Sequence, residues 1–181
     1  MKAELYTRYP LAAPLTYNGT TIAHFVLGGI GLAIGYRFIP WLGVPLGIVY
    51  LSLALLEMYV LMPLQVCPNC VYYELENSRC ISGLNLLSRR IAKKGDVRDF
   101  PKRAEGVLCS NNRYMAALFV PIIAMIPALI IRFSFALLAV FLGILVILLF
   151  RFFILFPKIA CLHCRAKHIC PQADQMGVRE L

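Results

Sequence analysis

Residues 133–156 read FSFALLAVFLGILVILLFRFFILF, an apolar stretch whose single charge is Arg151. A helix needs about 20 mostly apolar residues to cross the hydrocarbon core of a bilayer. Three more stretches of this kind run from Ile22 to Phe38, from Leu42 to Met62 and from Tyr114 to Ile131. The sequence therefore predicts an all-α integral membrane protein with four transmembrane helices.

Short turns between the apolar stretches predict that the helices form two antiparallel hairpins. Pro40 closes the first stretch, and Arg132 with Ser134 marks the turn before the last one. The predicted order is an N-terminal segment (1–21), hairpin 1 (22–63), a central loop (64–113), hairpin 2 (114–157) and a tail (158–181).

The composition argues against most other classes of protein. The 181 residues are 60% hydrophobic and 15% charged, whereas soluble domains are about 45–50% apolar and roughly 25% charged. A disordered chain and an ordinary soluble enzyme are thereby excluded. No phosphate-binding loop, serine elbow, paired carboxylates or H-E-x-x-H motif occurs in the sequence. A non-catalytic or electron-transfer role is therefore favoured over an enzyme.

The distribution of basic residues predicts the orientation in the membrane. The net charge is +9, and the segments outside the spans carry fifteen Lys and Arg on one predicted side against Arg37 and Arg132 on the other. Basic residues in short loops favour the cytoplasmic side. We expect both termini and the central loop to be cytoplasmic, in an inner membrane. Lys2 is followed by a polar stretch, so no cleavable signal peptide is expected.

A shift of 94 residues aligns the ends of the two hairpins. The shift superimposes Glu57 on Arg151, Pro63 on Pro157, Cys67 on Cys161, and Cys70 on Cys164. Each hairpin thus ends as a charge, a proline and a C-x-x-C motif at the same spacing. We interpret the pattern as a tandem repeat of two parallel hairpins, an arrangement known among membrane proteins.

All seven cysteines fall on the predicted cytoplasmic side, where thiols stay reduced and C-x-x-C indicates metal binding or redox chemistry. Their odd number also speaks against a complete disulfide framework. Two C-x-x-C turns supply the four thiolates of a tetrahedral site. The sequence predicts one metal ion, with structural zinc favoured, bound by Cys67, Cys70, Cys161 and Cys164.

Three alternatives remain for the cysteines. Two separate sites would use Cys67, Cys70, Cys80 and Cys109 on one ion, and Cys161, Cys164, Cys170 and His168 on another. An iron–sulfur cluster also takes four thiolates and is the alternative cofactor. Dithiol redox chemistry is the third alternative, with Cys67-Pro-Asn-Cys70 as its best candidate.

Charged side chains supply two further predictions. Glu57 and Arg151 lie inside the spans at equivalent positions, so we expect them to pair across the bundle. The loop segment 84–94 has an apolar helical face and four cations, namely Arg89, Arg90, Lys93 and Lys94. This pattern is typical of a helix on anionic lipid headgroups. Nucleic-acid binding is not expected.

As its function, the sequence favours a docking or anchor subunit of a larger complex. The metal site of this subunit would organise a cytoplasmic surface for a protein partner. The first alternative is an electron-transfer subunit that passes electrons between a soluble partner and a membrane quinone near Glu57 and Arg151. The second alternative is a membrane dithiol oxidoreductase.

Overall fold

A computed structural model describes residues 4–39 and 41–179, so Lys2 and Pro40 lie outside the described residues. Four helices are long and apolar enough to cross a membrane: Ala12–Gly35, Gly43–Asn69, Ser110–Ile131 and Phe135–Cys161. The predicted all-α class is thereby confirmed, together with four helices that are long and apolar enough to span a membrane.

Short helices and two π-helical segments complete the described structure. The α-helices are α1 (Ala12–Gly35), α2 (Gly43–Leu56), α3 (Met62–Gln65), α4 (Val71–Glu74), α5 (Leu84–Ile91), α6 (Ser110–Ile131), α7 (Phe135–Phe150) and α8 (Pro171–Gln175). A π-helix, Glu57–Leu61, joins α2 to α3, and a longer one, Arg151–Cys161, continues α7. The π-helices begin at the two charged positions that the 94-residue shift superimposes.

The spanning helices are longer than the apolar stretches that predict them. Helix α1 begins at Ala12, well before Ile22, because Tyr17 and Thr21 on this early part are buried in the bundle. Pro157 does not end the last helix but lies inside its π-helical segment. Proline removes one backbone hydrogen bond, and a π-turn changes the bonding pattern around that position. The helix therefore continues to Cys161.

Helix α1 is the central helix, because it packs against α2, α6 and α7. The backbones of α1 and α2 lie close together, since a Cβ on Gly47 would collide with the Gly29 carbonyl oxygen. Glycine at position 47 is therefore needed for these two backbones to touch. On the other side of α1, Phe25 and Leu32 belong to the same buried core as Leu118.

The N-terminal segment ties the central loop and the tail together at one end of the bundle. The Tyr6 N–H donates to the His163 carbonyl at 3.0 Å, and the Tyr9 N–H donates to the Arg79 carbonyl at 3.0 Å. The Tyr9 hydroxyl donates to the Ala160 carbonyl at 2.6 Å. These bonds hold the cysteine-bearing segments against each other.

Candidate metal centre

Six of the seven cysteines line one cavity of about 160 Å³ at this end of the bundle. They are Cys67, Cys70, Cys80, Cys161, Cys164 and Cys170. The structure thus brings the two C-x-x-C motifs together and adds one cysteine from the central loop and one from the tail. A concentration of thiols in one cavity is a donor set for soft metal ions and iron–sulfur clusters.

The two C-x-x-C motifs adopt the same local turn. The Cys70 N–H donates to the Cys67 carbonyl at 3.1 Å, and the Cys164 N–H donates to the Cys161 carbonyl at 3.2 Å. In both motifs the first cysteine lies at the end of a spanning helix, and the second follows just beyond it. Each turn therefore presents its two thiols to the shared cavity.

The thiols just outside the spans are strongly desolvated. Burial raises the pKa of Cys70 to about 12, and it raises the pKa of Cys164 to about 12 as well. Opposing this shift, the backbone N–H of Tyr72 lowers the pKa of Cys70 by a hydrogen bond, and that of Ala166 does the same for Cys164. Thiolates are the form that binds metal. N–H groups bonded to sulfur stabilise that form in both motifs.

The charges around the cavity are positive. Arg103 and the buried Lys167 both line it, and the residues that the structure places around the cavity include no Asp or Glu. The Arg103 guanidinium also lowers the pKa of Cys70, although less than burial raises it. This electrostatic environment favours an anionic occupant such as a metal centre bound by four thiolates.

Two residues considered as ligands lie away from the cavity. The Cys109 sulfur accepts a hydrogen bond from the Asn112 N–H at 3.4 Å and caps α6. Cys109 lines a different cavity, next to Arg113. His168 is exposed, and it is not among the residues around the six cysteines.

In the part of the chain that the structure describes, no three His, Cys, Asp or Glu side chains converge closely enough to hold a single metal ion. No family model, curated protein or solved structure matches this chain. The chemistry of the cavity is therefore inferred from its own donors, charges and dimensions.

Arg151 lies beneath the cavity and is completely buried. Its guanidinium donates to the side chains of Thr20, Thr21 and Tyr114 and to the Tyr17 carbonyl. It also lies 5.2 Å from the ring centroids of both Tyr17 and Phe156. Because Tyr17, Tyr114 and Phe156 also line the cysteine cavity, one layer of aromatic rings separates this cation from the thiols.

The predicted pair between Glu57 and Arg151 is not formed among the described residues. Glu57 Oε2 instead accepts a hydrogen bond from Arg113 Nε at 2.9 Å. Arg113 projects from the first turns of α6 and reaches the π-helix that begins at Glu57. Arg151 is occupied by hydroxyl and carbonyl oxygens of α1 and α6. Helix rotation, which sequence position does not determine, accounts for the different partners.

Helix α5 covers only Leu84–Ile91 of the predicted basic helix, so Lys93 and Lys94 lie beyond its end, and the four cations have different surroundings. Arg89 donates to the carbonyls of Tyr73, Tyr72 and Leu75 and thereby holds the loop that leads to Cys80. Lys94 pairs with Glu74 at 2.9 Å. Arg90 and Lys93 are exposed on the surface. Arg89 is therefore a positioning residue within the loop.

Sequence reasoning missed several residues that shape the site. Arg103 and Lys167 were not distinguished from the other basic residues, because the repeat contains neither of them. The sequence places Arg113 in the central loop, whereas in the structure it lies on α6 and pairs with Glu57. Tyr9 lies in a segment without a clear pattern. The one signal in this segment is that it contains tyrosines. A buried tyrosine usually needs a hydrogen-bond partner, so such a residue indicates a contact with another part of the chain.

Proposed function

We propose that the chain is a membrane-integral electron-transfer protein that carries an iron–sulfur cluster in the six-cysteine cavity. One observation carries the proposal: six thiols line one cavity of about 160 Å³. The cluster replaces zinc as the favoured cofactor for the reasons given next.

The distances that zinc requires differ from those that a cluster requires. Zinc lies about 2.3 Å from each sulfur, so the four thiolates of a zinc site lie roughly 4 Å from one another. In an iron–sulfur cluster, the iron and sulfide atoms themselves occupy the space between the thiolates. A cavity of about 160 Å³ lined by six thiols leaves room for such a core and supports the second arrangement.

Charge and hydrogen bonding also support a cluster. A cluster bound by four thiolates is anionic, and its reduction adds a further negative charge. Arg103 and Lys167 line the cavity, and Arg151 lies beneath the aromatic rings of its floor. Nearby cations and N–H groups bonded to sulfur are the means by which proteins raise the potential of such centres. The N–H groups of Tyr72 and Ala166 are placed to do this.

We propose Cys67, Cys70, Cys161 and Cys164 as the four ligands. The two motifs share one turn geometry, and each lies at the end of a helix whose π-helical segment begins at a charged residue. These matches support a tandem repeat in which each hairpin supplies one half of the centre. Cys80 and Cys170 then lie beside the cluster as additional thiols of the cavity wall.

Metal analysis of anaerobically purified protein tests the proposal. We expect a brown protein that contains iron and acid-labile sulfide in equal amounts, with less than about one tenth as much zinc. Visible absorption that bleaches with dithionite would show that the centre accepts electrons. A colourless protein with one zinc ion per chain would overturn the proposal in favour of a structural site, and metal-free protein in all preparations would favour dithiol chemistry.

We further propose that the cavity faces the cytoplasm, with both termini on that side. The basic residues outside the spans support this orientation. The exposed Arg90 and Lys93 then lie on the side of the anionic headgroups. A soluble electron-transfer partner would dock on the same face.

Thiol labelling in intact cells tests this orientation. We expect cysteines introduced at Trp41 and Ser134 to react with a membrane-impermeant reagent, because both sites lie in the short turns at the opposite end of the bundle. A cysteine introduced at Lys93, which is exposed on the cavity side, should react only after the cells are opened. The reverse pattern would place the cavity outside the cytoplasm.

A further inference from the structure

A second cavity opens within the spanning region, between α2 and α6. Its volume is about 500 Å³, within the range of roughly 300–1,000 Å³ that is typical of small-molecule sites. Apolar side chains form most of its wall, among them Val49, Leu53, Val120 and Ala124. Since Val49, Leu53 and Val120 remain exposed at the surface of the bundle, the cavity is open to the lipid.

The ion pair between Glu57 and Arg113 forms the polar end of this cavity. Glu57 is only 5% exposed. Its Oε2 accepts the bond from Arg113, while its Oε1 is buried with no hydrogen-bond partner in the described structure. A buried carboxylate oxygen without a partner is costly, so such an atom calls for a donor.

The partners of Arg113 determine which kind of ligand fits. Its Nη1 donates to the Leu108 carbonyl, and its Nη2 donates to Gln65 Oε1 and Ser110 Oγ. Of the polar side-chain atoms in this ion pair, Glu57 Oε1 is the one that is buried without a partner. Since Glu57 lines the cavity, a ligand at this end that brings a hydroxyl or another N–H or O–H donor would supply the missing partner of Oε1.

The two cavities share a wall. Glu57 and Arg113 line the lipid-facing cavity, and their sequence neighbours Met58 and Tyr114 line the cysteine cavity. Adjacent residues on two helices thus face opposite sides of one layer of structure. A ligand at the polar end of the lipid-facing cavity would therefore be separated from the cysteine cavity by this layer.

We propose that this cavity binds the reduced form of an isoprenoid quinone. One ring hydroxyl of the hydroquinone donates to Glu57 Oε1, and the apolar tail lies along the aliphatic wall towards the lipid. The oxidised quinone carries acceptors in place of these hydroxyl donors, so it cannot satisfy Oε1. The choice of a redox-active ring over another hydroxylated lipid rests on the proposed electron-transfer function, because the cavity adjoins the proposed cluster.

Anaerobic calorimetry on the purified chain in detergent tests the proposal with a short-chain benzohydroquinone as the probe. The same titration is repeated with its quinone and with its dimethyl ether, which has the same shape but no donor. We expect one hydroquinone per chain, bound about 10- to 100-fold more tightly than either analogue, because a hydrogen bond to a charged group is lost in both. Equal affinities for the hydroquinone and its dimethyl ether would overturn the proposal.

Two variants locate the binding site. Ala124→Phe places a ring in the cavity and should reduce the affinity for the hydroquinone at least tenfold. Ala139→Phe makes the same change on the exposed surface of α7 and should leave the affinity unchanged. Similar affinities in the two variants would place the ligand elsewhere. A long-chain alcohol that displaces the hydroquinone at equal concentration would overturn the assignment to a quinone ring.

The titrations are carried out on protein with and without its metal, so that this proposal and the cluster can fail separately. Hydroquinone binding by a chain that contains no iron would retain the site and reject the electron-transfer function. Iron and sulfide in a chain that binds none of the probes would retain the electron-transfer function and reject the quinone site.

Discussion

Serine at both Cys161 and Cys164 should remove the metal centre completely. Serine hydroxyls bind zinc and iron–sulfur clusters much more weakly than thiolates do, so a centre shared between the hairpins keeps only two of its four strong ligands. We expect the metal content of this double variant to fall below about one tenth of the wild-type value. Elemental analysis and visible absorption of the purified variant measure this loss.

Cys109→Ser is the matched control for this loss. Its sulfur caps α6 and lies outside the six-cysteine cavity, so the variant should keep its full metal content. If the Cys161/Cys164 double variant retained about half of its metal, the chain would hold two separate sites and the shared centre would be wrong. A monodisperse elution profile of the variant shows that the loss does not come from unfolding.

Single changes at Cys80 and Cys170 then decide which four thiols bind. Both side chains line the cavity, but neither belongs to the repeat. We expect Cys80→Ser and Cys170→Ser to keep the metal and to change the absorption spectrum only slightly. Loss of the metal in either variant would show that the changed cysteine is a ligand, in place of one of the four proposed.

The number and approximate position of the spanning helices could be predicted, because a membrane span depends on the hydrophobicity of one continuous segment. The start of α1 could not, because Tyr17 and Thr21 are buried by packing against other helices and not by their own apolar character. The position of Pro157 within a π-helix was also missed, since proline usually ends a helix.

The candidate site could be predicted only as far as the repeat extends. Equal spacing placed the two C-x-x-C motifs at equal depth, and they do line one cavity. Cys80 reaches the same cavity because two arginine side chains fix the path of the central loop: Arg89 donates to the Tyr73 and Tyr72 carbonyls, and Arg79 donates to the Tyr9 carbonyl. Bonds from side chains to distant carbonyls leave no periodic pattern in a sequence. The cavity as a whole therefore appeared only with the structure.

Charge reversal at Glu57 should be among the most destabilising single changes within the spans. Glu57 is buried and paired with Arg113. Glu57→Arg would bring two cations together in an apolar region, and breaking a buried pair typically costs about 3–5 kcal/mol. Thermal unfolding of the purified protein in detergent measures the loss. Glu74→Lys, which breaks the exposed pair with Lys94, should leave the transition unchanged within error.

Double reversals identify the true partner of Glu57. Combining Glu57→Arg with Arg113→Glu restores an ion pair in the same place and should recover most of the lost stability. Combining Glu57→Arg with Arg151→Glu should recover none, because Arg151 is held by Thr20, Thr21 and Tyr114. A new carboxylate there would also lie beneath the thiols of the proposed anionic centre, where it would weaken metal binding. Rescue by the change at Arg151 and not at Arg113 would restore the pairing predicted from the repeat and would contradict the observed one.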